Sequence, residues 1–298
     1  MAWITSSKMV SAVSNSGGLG VLGSCAGFKK QFDTIDGTIE EMRKVIRQTK
    51  KLTNKPFGMN VSPSIDDILG FSKATVQLCK EEGVKILACA GSHSSEDIKK
   101  WKEDGFTVMV RHAVPNVRDA VEAEKAGADI LVITGCDNGG WIPVNCNSTA
   151  ATVSLISKKV KIPIVAAGGI INEDMAKAAA AVGAEGAYLG TRFMLSKECH
   201  IPDKVKNEIL HTHPDDLVTF TNFGGIAKWR VLPYKFGKEA VEANKNGNLN
   251  PLTGSYLAAL VNGEFDKGVV SVSNVASLAG SIDSCEAIVN EISRAFKY

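Results

Sequence analysis

The 298-residue sequence lacks the features that mark membrane-spanning, secreted and metal-binding proteins. No apolar run reaches the length of a bilayer span, and no basic stretch followed by an apolar core predicts a signal peptide. The seven cysteines form no CxxC pair and match no zinc signature. Their odd number and scattered positions suit a reducing compartment better than a disulfide scaffold. We therefore predict a cytoplasmic protein without a metal site.

The sequence also has no large excess of charge of either sign. Its 34 basic and 32 acidic residues give a net charge of +2, and no dense run of Lys or Arg occurs. This balance argues against a polyanionic partner. We expect a small-molecule substrate, no nucleic acid and no membrane, and we leave a homodimer open. A hydrophobic content of 44% is sufficient for the core of one barrel-sized domain with an appendage.

The clearest pattern that is present is a glycine placed between a helix-like segment and a short apolar run. Gly83, Gly105 and Gly127 lie 22 residues apart, and Gly183 has the same surroundings. Glycine ends helices in the left-handed conformation that other residues adopt only at a cost. The apolar runs show no polar alternation, which is typical of strands buried on both faces of a parallel sheet.

These junctions divide the first two thirds of the chain into alternating strands and helices. Strands are predicted near 19–24, 56–61, 85–90, 107–113, 130–135, 162–167 and 186–191. Helices are predicted near 5–15, 36–52, 66–82, 94–104, 116–126, 148–158 and 172–182. The alternation indicates an α/β fold, either a closed (β/α)8 TIM-type barrel or an open doubly wound sheet, and we favour the barrel. Because the segment Met1-Ala2-Trp3-Ile4 passes directly into a helix, the first barrel strand is predicted to be truncated.

We predict three regions along the chain. Residues 1–195 form the barrel, residues 196–275 a small, mostly helical cap near the substrate, and residues 276–298 a C-terminal region whose helix, near 283–297, closes onto the barrel. Residues from about 196 to 270 are expected to lack strands. An Asn- and Gly-rich stretch from 244 to 254 is predicted to be a loop.

The carboxyl ends of the last two barrel strands carry paired glycine motifs. The seventh strand ends in Gly168-Gly169 and the eighth in Gly190-Thr191. Barrel enzymes place their active sites at this face, and the loops after strands seven and eight often bind phosphate. Glycine lets backbone N–H groups approach an anion, and Asn172 can cap the helix that follows the seventh strand. The alternative is that the glycines only form tight strand-to-helix turns.

Five segments, in order, resemble the flavin enzymes known as nitronate monooxygenases (2-nitropropane dioxygenases) and the FMN-dependent enoyl-acyl-carrier-protein reductases. The resemblance spans nearly the whole barrel and is loose in the last third. The segments are Met1-Ala2-Trp3, Ala12-Val13-Ser14-Asn15-Ser16-Gly17-Gly18-Leu19-Gly20, Pro56-Phe57-Gly58-Met59-Asn60, Ala166-Ala167-Gly168-Gly169-Ile170 and Gly190-Thr191-Arg192-Phe193.

The resemblance implies a noncovalently bound FMN, with NAD(P)H as a candidate reductant. Met1 and Ala2 would lie beside the flavin ring, and Asn60 would hydrogen-bond the ring or the ribityl chain. The phosphate would be held by Gly168, Gly169, Gly190 and Thr191. Independently, an Asn side chain offers both the donor and the acceptor that a flavin edge requires. The alternative for Asn60 is a strand-end turn residue.

One position departs from both branches of the family. Where they carry Gly-Gly-His, this sequence has Gly139-Gly140-Trp141. The resemblance implies that the histidine is the base of the monooxygenases, and the indole of Trp141 cannot replace it because its N–H only donates. Nitronates are already deprotonated and need no such base, whereas neutral nitroalkanes would be poor substrates. We predict that Trp141 contacts the substrate.

Other residues at the ends of predicted strands are candidates for the missing role. His112 and His93 end the fifth and fourth barrel strands by family count, and a pKa near neutrality suits acid-base chemistry. Each is assigned a catalytic role, the alternative being a packed histidine. Arg111 either binds a substrate carboxylate or phosphate or forms an ion pair with Asp137.

Three functions follow from these residues. The leading hypothesis is an FMN oxidoreductase that oxidises small nitronates with oxygen. The second is an NAD(P)H-dependent enoyl-thioester reductase of fatty-acid synthesis. The third is a truncated barrel that cannot hold flavin and has no activity.

Overall fold

The computed structural model describes residues 1–63, 70–91 and 93–296. Ten strands occur in the described residues. They are β1 Gly20–Leu22, β2 Phe57–Val61, β3 Ile86–Gly91, β4 Thr107–His112, β5 Ile130–Thr134, β6 Gly140–Pro143, β7 Ile164–Ala167, β8 Gly186–Tyr188, β9 Val218–Asn222 and β10 Ala227–Val231. Seven of them form one sheet in the order β1-β2-β3-β4-β5-β7-β8, with every neighbouring pair parallel.

Helices connect the parallel strands and continue into the C-terminal third. They are α1 Ser7–Asn15, α2 Ile35–Leu52, α3 Phe71–Glu81, α4 Ser95–Glu103, α5 Val117–Ala126, α6 Thr149–Ser157, α7 Glu173–Ala181, α8 Thr191–Met194, α9 Asp203–His211, α10 Lys235–Lys245 and α11 Cys285–Ser293. In the part of the chain that the structure describes, no helix combines the length and the apolar character needed to cross a bilayer.

The parallel strands are apolar because both of their faces are covered. Met109, Val132 and Ala167 pack together on one face of the sheet. Their strand neighbours, such as Val108 and Ile133, belong to the larger cluster that packs beneath the helices. Successive side chains of a strand point to opposite faces, so a strand covered on both sides carries no polar alternation. The predicted parallel α/β architecture is confirmed.

The sheet is curled into an incomplete barrel. Within the described residues, β1 pairs only with β2 and β8 only with β7. Both of these edge strands line a single groove of about 260 Å³, whose other walls come from α1 and α11. The curled, seven-stranded parallel sheet agrees with the prediction of a TIM-type barrel.

The repeated glycines have the predicted role. Gly83, Gly105, Gly127 and Gly183 follow helices α3, α4, α5 and α7, and their φ angles lie between +63° and +105°. Any residue other than glycine would be strained in this left-handed backbone conformation. The positions of these glycines in the sequence therefore correctly predict where the helices end.

The expectation that residues 196 to 270 lack strands is wrong. The strands β9 and β10 form a hairpin, and β10 also pairs with β6, which gives an antiparallel sheet in the order β6-β10-β9. Alternate residues of β10 are buried, as its sequence Ala-Lys-Trp-Arg-Val allows. The hairpin signal was therefore present as polar alternation on both sides of Gly224-Gly225, and the helix-rich surroundings obscured it.

Several predicted boundaries also shift. The strand predicted at 186–191 ends at Tyr188, because Gly190 and Thr191 open the short helix α8. The segment predicted as a strand at 162–167 begins only at Ile164. The helix predicted at 66–82 is found from Phe71, and its residues 66–69 lie outside the described part of the chain. The helix predicted at 283–297 is α11, with residue 297 outside the described part as well.

A buried arginine attaches the C-terminal helix to the barrel. Arg192 is 2% exposed, and its guanidinium lies 2.6 Å from an Asp283 carboxylate oxygen and 3.6 Å from Glu291. It also donates to the carbonyl of Ser281. The eighth barrel unit and the start of α11 are therefore held together by one cation.

Replacing Asp283 with alanine should destabilise the protein, because it removes the nearest counter-charge of a buried guanidinium. We expect the free energy of unfolding to fall by ~2–4 kcal/mol in a denaturant titration, Glu291 supplying partial compensation. The control is E41A, which removes one member of the exposed Lys44–Glu41 pair and should cost less than ~1 kcal/mol. Equal losses in the two variants would contradict this role of Arg192.

Candidate active site

A cavity of about 490 Å³ lies at the carboxyl ends of the parallel strands, a size typical of cofactor and substrate sites. All nine residues predicted to bind cofactor or substrate line it. They are Met1, Ala2, Asn60, Arg111, Trp141, Gly168, Gly169, Gly190 and Thr191. The topology thus brings together motifs that are up to 190 residues apart in the sequence.

The glycine pair after β7 lies at a backbone crossing with no room for side chains. Gly168 and Gly169 have φ angles of +89° and +76°. A Cβ atom on Gly168 would lie 2.9 Å from Cβ of Asn138, and one on Gly169 would lie 2.9 Å from Cβ of Asp137. Only glycine can occupy both positions. Since neither residue has a side chain, only backbone atoms line the cavity at this point.

The loop that crosses the glycine pair is fixed by α6. The Thr149 hydroxyl donates to the carbonyl of Gly168 at 2.9 Å, and the Thr149 backbone N–H donates to a carboxylate oxygen of Asp137 at 2.7 Å. The Asp137 carboxylate therefore accepts a hydrogen bond that fixes the loop. Its neighbour Asn138 is left as the residue that faces the cavity.

Two buried polar atoms on the cavity wall have no partner within the described residues. The amide nitrogen of Asn138 donates to the carbonyls of Gly139 and Trp141, which leaves its oxygen Oδ1 without a donor. The indole Nε1 of Trp141 is likewise buried and unpaired. Buried polar atoms normally have partners, so this pair indicates that the cavity is shaped for a ligand that supplies a donor and an acceptor. Sequence analysis did not single out Asn138.

Asn60 is fixed at the end of β2. Its amide nitrogen donates to the carbonyl of Ala88 at 2.8 Å, across the β2–β3 pair. This bond holds the side chain and leaves the amide oxygen as an acceptor toward the cavity.

Arg111 brings the only charged side chain to the cavity wall among the described residues. Its Nε donates to the hydroxyl of Thr134 at 2.8 Å. The alternative that it pairs with Asp137 is wrong, because that carboxylate is bonded to Thr149 and approached by Asn274. Burial lowers the pKa of Arg111, but a guanidinium stays protonated. The remaining guanidinium N–H groups are available to an anion.

The two histidines predicted to be catalytic lie outside the cavity lining. His112 follows Arg111 on β4, and since Arg111 lines the cavity, His112 points to the opposite face of the strand. His93 packs against it with ring centroids 4.6 Å apart. Burial, followed by the neighbouring His93, lowers the pKa of His112 to about 4, and burial lowers that of His93. Both rings are neutral packing elements at pH 7, and no contact of either with the cavity supports the predicted role.

The outer wall of the cavity comes from the cap, which was predicted to lie near the substrate without any of its lining residues being named. Trp141 on β6 stacks on Phe223 with centroids 5.0 Å apart, and Phe223 packs edge-on against Trp229 of β10. Trp229 in turn contacts Tyr256, whose hydroxyl lies 2.7 Å from that of Ser271. Tyr256 and Ser271 both line the cavity.

Fold and site together define an α/β-barrel enzyme with a glycine-lined cavity at the carboxyl ends of its strands. A family model described as nitronate monooxygenase matches residues 1–294. The chain belongs to the nitronate monooxygenase family. Enzymes of this family are in general flavin enzymes.

Relatives with different names resemble the chain. A (3aS,4S,5R,7aS)-5-hydroxy-7a-methyl-1-oxo-octahydro-1H-indene-4-carboxyl-CoA dehydrogenase from Rhodococcus jostii (strain RHA1) is 34% identical over 70% of the chain, and one from Mycobacterium tuberculosis is 32% identical over 78%. The chain spans only 54% and 61% of these two relatives. A probable nitronate monooxygenase from Staphylococcus aureus (strain MSSA476) is 29% identical over 76% of the chain and 71% of its own length.

Solved structures confirm the fold. FabK from Thermotoga maritima has a TM-score of 0.84 and 28% identity, and the match covers 99% of this chain and 90% of FabK. A nitroalkane oxidase from Streptomyces ansochromogenes has a TM-score of 0.76 at 21% identity, covering 99% of this chain and 93% of that one, and shows the fold alone.

The histidine pair predicts a specific loss of stability in acid. The folded pKa of His112, about 4, lies below the ordinary value of 6.5, so the unfolded chain binds more protons between these values. Stability contributed by neutral His112 is complete above pH 6.5 and is lost as the pH falls toward 4. Between pH 7.5 and 4.5 we expect wild type to lose up to ~2.5 kcal/mol more than H112F in urea titrations. The exposed-histidine control H211F should follow wild type; an H112F curve parallel to wild type would refute the assignment.

Proposed function

We propose that the cavity binds FMN, with the phosphate against the backbone of Gly168, Gly169, Gly190 and Thr191. Support comes from the bare backbone at the glycine crossing, where any Cβ would collide with Asp137 or Asn138. In the described part of the chain, the backbone N–H groups of Gly169, Gly190 and Thr191 donate to no protein acceptor. Such groups are suited to phosphate oxygens.

The other end of the cavity suits the flavin ring. Asn60 and Asn138 each present an amide oxygen, and Arg111 a cation, from three different strand ends or loops. Bound FMN would supply two-electron chemistry, with NAD(P)H as the proposed reductant. The residues of the chain would orient the ring and the substrate and exclude water.

We propose that the reaction is the reduction of an enoyl thioester. The observation that carries this proposal is the composition of the cavity wall, which in the described residues has the hydroxyl groups of Tyr, Ser and Thr but no His, Asp or Glu. Reduction of an activated double bond requires a proton donor, whereas removal of a proton from a neutral nitroalkane requires a base. The carboxyl-CoA substrates in the names of two relatives above 30% identity also support a thioester.

Nitronate oxidation with oxygen, favoured by the sequence, is the second candidate. A nitronate is an anion that needs no base, and Arg111 is a cation without a counter-charge at the cavity wall. The relatives named probable nitronate monooxygenase support it at lower identity.

Replacing Gly169 with alanine should weaken FMN binding on the order of tenfold or more, because the added Cβ forces the crossing loop away and strains a left-handed backbone. The measurement is the dissociation constant of FMN from flavin fluorescence. The control is G105A, which has a similar φ of +82° but open space around the added Cβ. Equal affinities in the two variants would contradict the phosphate site. A colourless wild type that gains no yellow absorbance with FMN would favour the inactive truncated barrel.

Anaerobic spectroscopy should separate the two reactions. We expect NADH or NADPH to bleach the flavin and crotonyl-CoA, or a longer enoyl thioester, to restore its absorbance, with G169A inert. If the thioester fails and aerobic propionate 3-nitronate consumes oxygen instead, the nitronate reaction replaces the proposal.

A further inference from the structure

A pair of hydroxyl groups on the cap side of the cavity has no part in the phosphate or ring contacts. Tyr256 Oη and Ser271 Oγ lie 2.7 Å apart, and both residues line the cavity. They come from separate segments, so the pair exists only in the folded cap.

Both hydroxyl groups are held in place by the cap. The backbone N–H of Ser255, beside Tyr256, donates to the carbonyl of Lys267 at 2.8 Å. The ring of Tyr256 packs edge-on against Trp229, with centroids 5.4 Å apart. Ser271 lies in an antiparallel bridge with Val231, at the end of β10. Strand β10 therefore contacts both parts of the wall. Its end holds Ser271, and its pairing with β6 holds Trp141.

The protonation of Tyr256 fits a donor. Burial raises its pKa to about 12, although the hydrogen bond with Ser271 acts in the opposite direction. The phenol is thus protonated at neutral pH. When the Ser271 hydroxyl donates to Tyr256 Oη, the phenol proton is free for a ligand in the cavity.

Other groups of the cavity wall are less suited to this task. Tyr188 ends β8 and packs with Met109, Val132 and Ala167, which also line the cavity, but in the described residues no hydrogen bond fixes the position of its hydroxyl. Cys89 is buried, and burial raises its pKa. Trp141 sits in the position of the family histidine but its indole does not exchange a proton on the time scale of catalysis.

We infer that Tyr256 is the catalytic acid that protonates the α carbon of an enoyl thioester, and that Ser271 is the residue that positions it. This inference rests on the proposed function. A hydride equivalent from NAD(P)H, delivered through the cofactor, adds to the β carbon, and the electrons of the double bond move to the carbonyl oxygen to form an enolate. The enolate then takes the proton of Tyr256 at the α carbon, and the phenolate is reprotonated by water through Ser271. One reduced nicotinamide and one proton are consumed for each carbon–carbon double bond.

The test measures flavin reduction by NADH and flavin reoxidation by an enoyl thioester separately, in Y256F and in Y234F. Tyr234 is a matched control because it stacks on Phe265 in the same cap and does not line the cavity. We expect bleaching by NADH to be unchanged in both variants. Reoxidation by crotonyl-CoA should be at least ~100-fold slower in Y256F and near wild type in Y234F. The affinity for saturated butyryl-CoA, measured by its perturbation of the flavin spectrum, should remain within about twofold of wild type.

Ser271 is tested by S271A and S271T. The alanine variant should slow reoxidation about tenfold, and threonine, which retains the hydroxyl, should restore it. In wild type the reoxidation rate should be flat between about pH 6 and 9, whereas in Y256F it should fall as the pH rises, because the proton must then come from solvent. A purely structural role of Ser271 would not give rescue by threonine.

The possible failures are distinct. A wild type that is bleached by NADH but not reoxidised by any enoyl thioester overturns the proposed function and, with it, the role of Tyr256. A wild type that is reoxidised, with Y256F equally fast, overturns only the role of Tyr256. Loss of butyryl-CoA binding equal to the loss of rate would make Tyr256 a binding residue instead of an acid.

Discussion

The site depends on the crossing of two backbones, at Gly168-Gly169 and at the loop before Trp141. Asp137 and Asn138 pack into the space that a side chain at position 168 or 169 would occupy. Thr149 then bonds to both sides of the crossing, through the carbonyl of Gly168 and the carboxylate of Asp137. The crossing thus leaves the backbone of Gly168 and Gly169 accessible from the cavity. It also fixes the loop that carries Asn138 and Trp141 of the cavity wall.

The cap is attached to this crossing at several points. Arg230 of β10 donates to the carbonyls of Cys136 and Asn138. The Ser273 hydroxyl donates to the carbonyl of Asp137, and its backbone N–H donates to the Thr191 hydroxyl at the second glycine motif. Because the cap segments are bonded to the loop and to Thr191 of the second glycine motif, the cap and the barrel share one site, and the hydroxyl pair beside Ser273 takes its position from the barrel.

The barrel and the glycine motifs could be predicted because each depends on local chemistry. Helix-ending glycines and two-sided apolar strands are visible in short windows of sequence. The strands of the cap could not, since one of them, β10, pairs with Gly140–Pro143, more than 80 residues earlier. The histidines were misplaced for a related reason. Whether His112 or Arg111 faces the cavity depends on the pleat of β4, and a one-residue change in register exchanges the two.

The presence of Trp141 at the position of the family histidine has two linked consequences. It removes a base from the loop, and it places an indole opposite Trp229 in the register of β6 and β10, where it stacks on Phe223. The aromatic contacts continue to Tyr256, so the residue that ends base chemistry in the loop also supports the ring that bears a proton donor. A histidine at the same position would be smaller and would leave Phe223 without its stacking partner. Under the proposed function, the proton donor lies on the cap side of the cavity, at Tyr256, and not at the loop position of Trp141.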